Sequence, residues 1–216
     1  MTVSGGTEPT SQPASESASD TVSNTMSESA SNTVSDSTAS VQLAVAALAG
    51  GAVAVAIGTY GRVHDPTFRP IQDFGFPSVL DMKAWLATCA AALVLVQVTS
   101  ALWMYGKLPV GRAAPRRTAL IHRWSGTVAF VFTLPVAYHC LWSLGFAETG
   151  AREITHSVLG CAFYGAFATK MLVLRIDGLP RFVLPLCGGL LVTLLTGLWL
   201  TSSLWFFTNV GFPYAR

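Results

Sequence analysis

The residue pattern predicts an all-α integral membrane bundle, five transmembrane helices behind a disordered N-terminal tail. Three observations predict it. Hydrophobic residues make up 51% of the chain and charged residues only 11%, far below the quarter or so usual in soluble domains. Beyond residue 40 the apolar residues fall into five long runs, each long enough for a hydrocarbon core of about 30 Å. Before residue 41 there is no aromatic residue and few aliphatic ones.

Residues 1–40 are mostly Ser and Thr, and an imperfect repeat joins SESASDTVSNT (15–25) to SESASNTVSDS (27–37). Such a segment cannot bury enough apolar surface to offset its ordering entropy, so disorder is expected. The tail holds five acids and no Lys or Arg, whereas residues 41–216 hold 13 bases against six acids. The bases flank apolar runs and form no stripe of their own, which argues against nucleic acid as a partner. No basic residue precedes the first apolar run at Val41, so no cleaved secretory leader is expected.

The membrane domain is assigned to residues 41–216, with spans at about 41–60, 84–106, 119–144, 152–174 and 182–206. The first span is rich in Ala and Gly, which suits close packing against another helix. The link 61–80 holds three prolines and reads as an ordered external loop; Ser78 and Asp81 near its end have the character of a helix start. The second and fourth links carry Lys107, Arg112, Arg116 and Arg117, then Arg175 and Arg181. The positive-inside rule therefore places the N-terminus in the cytoplasm and the C-terminus outside a cell membrane. Cys89, Cys140, Cys161 and Cys187 lie in four different apolar segments without paired spacing, and are expected to be buried thiols rather than a disulfide framework.

Candidate chemistry concentrates in residues 121–170. Span three ends shortly after His139 and span four begins shortly before His156, so a short link sets the two imidazoles at matching depth near the outer face, on helices expected to be neighbours. Ionisable groups inside a membrane are costly and usually functional. Two neutral imidazoles across a helix pair can hold a haem iron axially or another transition metal. Gly160 lies one turn below His156, and Tyr164 and Phe167 continue its stripe, so these residues could receive and wall a flat ring. Pro135, one turn before His139, is expected to kink the helix. His122 belongs to the cytoplasmic edge, about 25 Å from His139 along the helix. Lys170 returns to nearly the face of His156 at the level of His122; with Arg123 these form a cationic cluster suited to a haem propionate, a quinone oxygen or an anionic headgroup, or simply to snorkelling at the membrane edge. His64 reads as a solvated loop histidine. No catalytic residue is assigned, and no span is expected to carry an intramembrane Asp or Glu.

The HR-x-SG of His122–Gly126 and the HS-x-x-G of His156–Gly160 resemble the histidine-bearing helices of membrane b-type cytochromes in the cytochrome b561 and ferric-reductase grouping. LPVAYHCLWSLGF (134–146) and HSVLGCAFYGAF (156–167) also resemble a family of small, uncharacterised actinobacterial membrane proteins. The cytochrome resemblance implies haem b on helix histidines and electron transfer, with a quinone as a further candidate cofactor and a redox partner or membrane-complex subunit as protein partner. His139 and His156 correspond to an outer ligand pair and His122 to an inner ligand. A fourth intramembrane histidine is missing, so one haem is the expected count. The competing readings are a non-catalytic accessory subunit of a respiratory or other membrane complex, and a metal or small-solute membrane protein.

Overall fold

The computed structural model describes residues 15–69, 72–109 and 113–210, and side chains of the first helix from Ser37 onward. Among the described residues every regular element is helical: α1 (Ser15–Val63), α2 (Val79–Met104), α3 (Arg116–His139), α4 (Ala151–Val173), α5 (Val183–Trp199) and a short α6 (Trp205–Asn209). A π-helical turn, Cys140–Leu144, prolongs α3, and a second, Leu200–Leu204, joins α5 to α6. The Ser/Thr-rich stretch expected to be disordered is helical from Ser15; residues 1–14, and the linker base Arg112, lie outside the described residues.

Four segments are long and apolar enough to cross a membrane: Ser37–Val63, Val79–Met104, Arg116–Leu144 and Val183–Asn209. Their apolar side chains turn outward, with Leu48 73% and Leu95 70% exposed, as in a protein whose solvent is lipid rather than water. The 23-residue α4 is about 35 Å long but less apolar, because it carries Arg152, Glu153, His156 and Lys170. Its position accounts for that composition. It lies between α1 and α5, so most of its polar groups meet protein.

The helices follow the order α1, α4, α5, α2, α3 around the bundle, each packing on the next. α2 and α3 pack closely, as do α1 and α4, while α3 and α4 meet mainly through long side chains. The short 145–150 link does make α3 and α4 neighbours, but Phe130, Tyr164 and Phe167 stand between the two backbones. The Ala/Gly character of α1 is explained by α4. A Cβ on Gly50 would lie 2.5 Å from the Gly165 carbonyl oxygen, and one on Gly165 would lie 2.6 Å from that of Gly50. Two glycines let these backbones touch.

The core of the bundle is formed by Ala90, Phe163, Leu194 and Leu195. A second cluster, Ala46, Val173 and Val183, closes the end where α2–α3 and α4–α5 are linked; we call it the inner end. The opposite, outer end is capped by the 64–78 loop. Thr67 and Phe68 donate backbone N–H groups to the carbonyls of Trp142 and Ser143 in the first π turn, and Phe146 donates to Gly61 at 2.7 Å. Gly145 turns the chain there at φ +67°, with Gly61 O and Pro66 only 3.1 Å from where a Cβ would stand.

Ser78 starts α2 as its side chain suggested. Its hydroxyl accepts the Asp81 N–H at 3.1 Å and donates to Asp81 Oδ2 at 2.6 Å. The helix therefore begins at Val79, five residues before the span drawn from hydropathy alone. This corrects the expectation that no span holds an acid, because Asp81 lies in the first turn and is buried. The four cysteines are all free, but Cys89 is exposed and the other three only half-buried.

Candidate functional site

Four elements converge on the outer half of the bundle. His139 closes α3 immediately before its π turn, and His156 lies in the second turn of α4. Lys83 lies in the second turn of α2. The π turn after α5 supplies Thr201 and Ser203.

His156 is held from behind. Its Nδ1 lies 2.9 Å from Thr201 Oγ1. The same hydroxyl lies 2.8 Å from the Gly197 carbonyl, which can take its proton; Nδ1–H then donates to Thr201 and the lone pair lies on Nε2. Arg152 donates to the Thr201 carbonyl at 2.7 Å, stacks over Trp205 at 4.0 Å and pairs with Glu153. This fixes the π turn that orients the histidine.

His139 is the opposite case. The residue is buried and its Nδ1 has no partner. Its ring forms part of the wall of a groove of about 620 Å³ that also includes Met82 of α2 and the Val131, Leu134, Pro135 and Tyr138 face of α3. Gln72 and Phe74 of the outer loop complete the groove, and His156 does not line it. Three further buried polar atoms at this end lack partners, Asp81 Oδ1, Ser203 Oγ and His64 Nε2. Buried polar groups are nearly always satisfied, so this end of the bundle has unmet hydrogen-bonding capacity.

His122 repeats the His156 arrangement at the inner end. Its Nδ1 lies 2.9 Å from Ser100 Oγ, which donates to the Val96 carbonyl at 2.6 Å. Gln97 bridges α2 to α3 by donating to the His122 carbonyl and to Ser125 Oγ. Lys170 lies in the last turn of α4, and no hydrogen bond joins it to His122 among the described residues.

The remaining candidates serve packing. Gly160 faces Leu198 at 3.9 Å from a hypothetical Cβ, an ordinary contact, so a methyl fits and no close approach demands glycine there. Tyr164 donates to Thr133 O and Oγ1, both at 3.0 Å, and Phe167 stacks on Phe130 with centroids 3.8 Å apart. These rings fill the space between α3 and α4 below the histidines instead of walling an open slot. His64, read as solvated, is stacked between Tyr60 and Trp142 with Nε2 buried and unpartnered. Thr201, Ser100, Gln97 and Lys83 were missed in the sequence; the available signal was a hydroxyl, an amide or a cation inside an apolar helix, where each needs a partner.

Among the described residues no three His, Cys, Asp or Glu side chains converge as a metal site. His139 lines the groove and His156 does not, so no described cavity contains both imidazoles.

The molecule is thus an all-helical protein with four segments fit to span a membrane and a polar, histidine-bearing outer half. Residues 43–214 match a family of unknown function, DUF6529, and the chain belongs to it. No curated protein and no solved structure matches the chain.

Proposed function

We propose that this is a five-span cell-membrane protein, N-terminus cytoplasmic and C-terminus outside, that transfers electrons through one haem b held by His139 and His156 near the outer face. The observation that carries the proposal is the hold on His156. Thr201 Oγ1 lies 2.9 Å from Nδ1 and 2.8 Å from the Gly197 carbonyl, so it can take Nδ1–H and leave Nε2 to a ligand, as outer-shell partners do for metal-binding histidines. His139 adds a buried nitrogen that no protein group meets. A haem would supply a one-electron carrier at this level. The residues of the chain would hold it: Thr201 orients His156, Arg152 fixes Thr201, and Lys83 offers a cation for an anionic edge group. Tyr164 and Phe167 separate this region from the inner end, where His122 and Lys170 lie. The fifth span is α4, whose polar residues face the bundle.

A dithionite-reduced minus oxidised spectrum of the purified protein in detergent tests this. Sharp α and Soret bands, with about one haem per chain, are expected. A flat spectrum from haem-replete cells would sink the proposal.

A second reading is favoured by His122, whose network ties α2 to α3 without any vacant ligand role. If His156 is likewise only a tie between α4 and α5, the protein is an accessory subunit of a membrane complex. It would then purify colourless, together with a larger assembly.

A further inference from the structure

We infer that a second groove, between α2 and α3 at the inner end, is a binding site for an anionic phospholipid. The inference rests on the membrane placement proposed above and not on haem.

The groove has a volume of about 330 Å³ and is lined by Leu95, Val96 and Trp103 of α2 with Thr118 and Ile121 of α3. Its lining changes with depth. Trp103 and Thr118 stand next to the α2–α3 link, at the membrane edge, whereas Leu95 lies two turns deeper, about 12 Å along α2. Leu95 is 70% and Ile121 53% exposed, so the deep part opens to acyl chains. That volume is near the lower limit for a ligand pocket and suits one chain of a lipid whose remainder stays in the bilayer.

The edge of the groove suits an anion. From residue 82 to residue 147 the sequence holds no Asp or Glu, so α3, its link and the groove-lining part of α2 bring only positive charge. Lys107 follows Trp103 by four residues, and Arg116 and Arg117 directly precede Thr118. All three bases are exposed, and among the described residues none is in an ion pair. α3 starts behind Pro115 without a side-chain cap, and uncapped amides at a helix start attract phosphate. Thr118, in that first turn, is only 5% exposed, and among the described residues its hydroxyl has no hydrogen-bond partner. Ser100, which lines the same groove, is by contrast satisfied by Val96 and His122.

A positive link alone is the ordinary mark of a cytoplasmic edge and specifies no ligand. Here one turn of α3 combines cations, uncapped amides and a buried unmet hydroxyl, and it does so at the mouth of an apolar groove. A free anion would leave the groove empty, and an uncharged lipid would leave the cations unanswered. A phospholipid of net negative charge meets both needs. Its phosphate suits Arg116, Arg117 and the first-turn amides, its glycerol ester comes level with Thr118, and one acyl chain follows Val96 and Ile121 inward.

Trp103 reports directly on the groove. The full chain is reconstituted into phosphatidylcholine vesicles containing increasing amounts of phosphatidylglycerol brominated on its acyl chains. Quenching of Trp103 is read as the difference between the wild type and Trp103→Phe. It is expected to saturate at a low mole fraction, whereas brominated phosphatidylcholine should quench only in proportion to its share of the bilayer. Lys107→Gln with Arg117→Gln should raise the half-saturating fraction about tenfold or more, at about fivefold for each cation. Thr118→Val should raise it about threefold. Arg175→Gln with Arg181→Gln removes the same charge from the α4–α5 link and, with screening over about 10 Å, should change it less than about twofold. Thr99→Phe with Ile121→Phe fills the groove and should remove the saturable component. Phosphatidylglycerol that quenches no more than phosphatidylcholine overturns the inference. So do equal effects of the two charge pairs, which would mean a general surface potential. Flotation with the vesicles checks that each variant inserts; a wild-type protein that does not float would sink the membrane placement itself, and the site with it.

Discussion

His156 and His122 occupy the same kind of niche at opposite ends of the bundle. In each, the imidazole Nδ1 meets the hydroxyl of a Ser or Thr that also stands within hydrogen-bond distance of a carbonyl one turn back in its own helix. What surrounds the niche differs. At the inner end Gln97 adds bonds to the His122 carbonyl and Ser125, and among the described residues no side-chain polar atom there is left buried without a partner. At the outer end His139 Nδ1, Asp81 Oδ1 and Ser203 Oγ are all buried and unmet. The same histidine geometry therefore serves as a completed tie in one place and as part of an incomplete polar set in the other. A bound group is expected where the set is incomplete.

The largest predicted effect separates the two histidines. His156→Ala should abolish the reduced haem spectrum, and His139→Ala should do the same. His122→Ala should leave the spectrum intact and lower stability only. If His122→Ala bleaches the protein while His156→Ala does not, the two ends have been assigned the wrong way round.

The hydroxyls should reproduce this contrast at smaller scale. Losing an outer-shell partner typically costs 10–100-fold in metal affinity, so Thr201→Val should weaken haem retention by about that factor in a competition with apo-myoglobin. Ser100→Ala removes the matching hydroxyl at the inner end and should leave haem retention unchanged. Equal effects from the two variants would mean that both act through general loosening of the bundle.

Much of this architecture could be read in the sequence, because a membrane leaves few options. Four of the five expected runs are segments fit to span, and their ends fall within a few residues of those expected. Lipid cannot satisfy backbone polar groups, so long apolar runs must be helices. The outcome at Asp81 shows where hydropathy fails: the helix starts where Ser78 caps it, not where the charges stop, and that moves a carboxylate into the span. The packing order was not legible for a related reason. A six-residue link constrains only the ends of α3 and α4, while Gly50 on Gly165 and Phe130 on Phe167 decide how near each backbone comes to its neighbours. Periodicity placed His156 and Tyr164 on one stripe. It could not reveal that the first bonds Thr201 and the second Thr133, since those partners lie 45 and 31 residues away.

A third effect should be confined to stability. Gln97→Leu removes the amide that joins the two helices at the inner end, leaving the His122 carbonyl and Ser125 Oγ with their intrahelical neighbours only. Interhelical hydrogen bonds in membrane proteins contribute on average about 0.6 kcal/mol, so two of them together should amount to about 1 kcal/mol. A modest fall in the thermal midpoint in detergent is expected, with haem content unchanged. Loss of haem in this variant would show that the inner network shapes the outer site.

The smallest effect concerns charge. The two ion pairs found among the described residues, Arg62–Glu148 and Arg152–Glu153, both belong to the outer end. They are not equivalent. Arg152 also donates to Thr201 and covers Trp205, so it is fixed by three different contacts and its loss should disturb the His156 niche. Arg62 and Glu148 are 67% and 49% exposed at their side chains, where solvent competes with the pair and such bridges contribute at most about 1 kcal/mol. Arg62→Ala should therefore lower the thermal midpoint slightly at low salt. At 1 M salt, where the screening length falls to about 3 Å, the variant and the wild type should melt together. A difference that survives 1 M salt would mean that Arg62 pins the end of α1 to the α3–α4 link by packing, and the outer end would then owe its order to contacts rather than to charge.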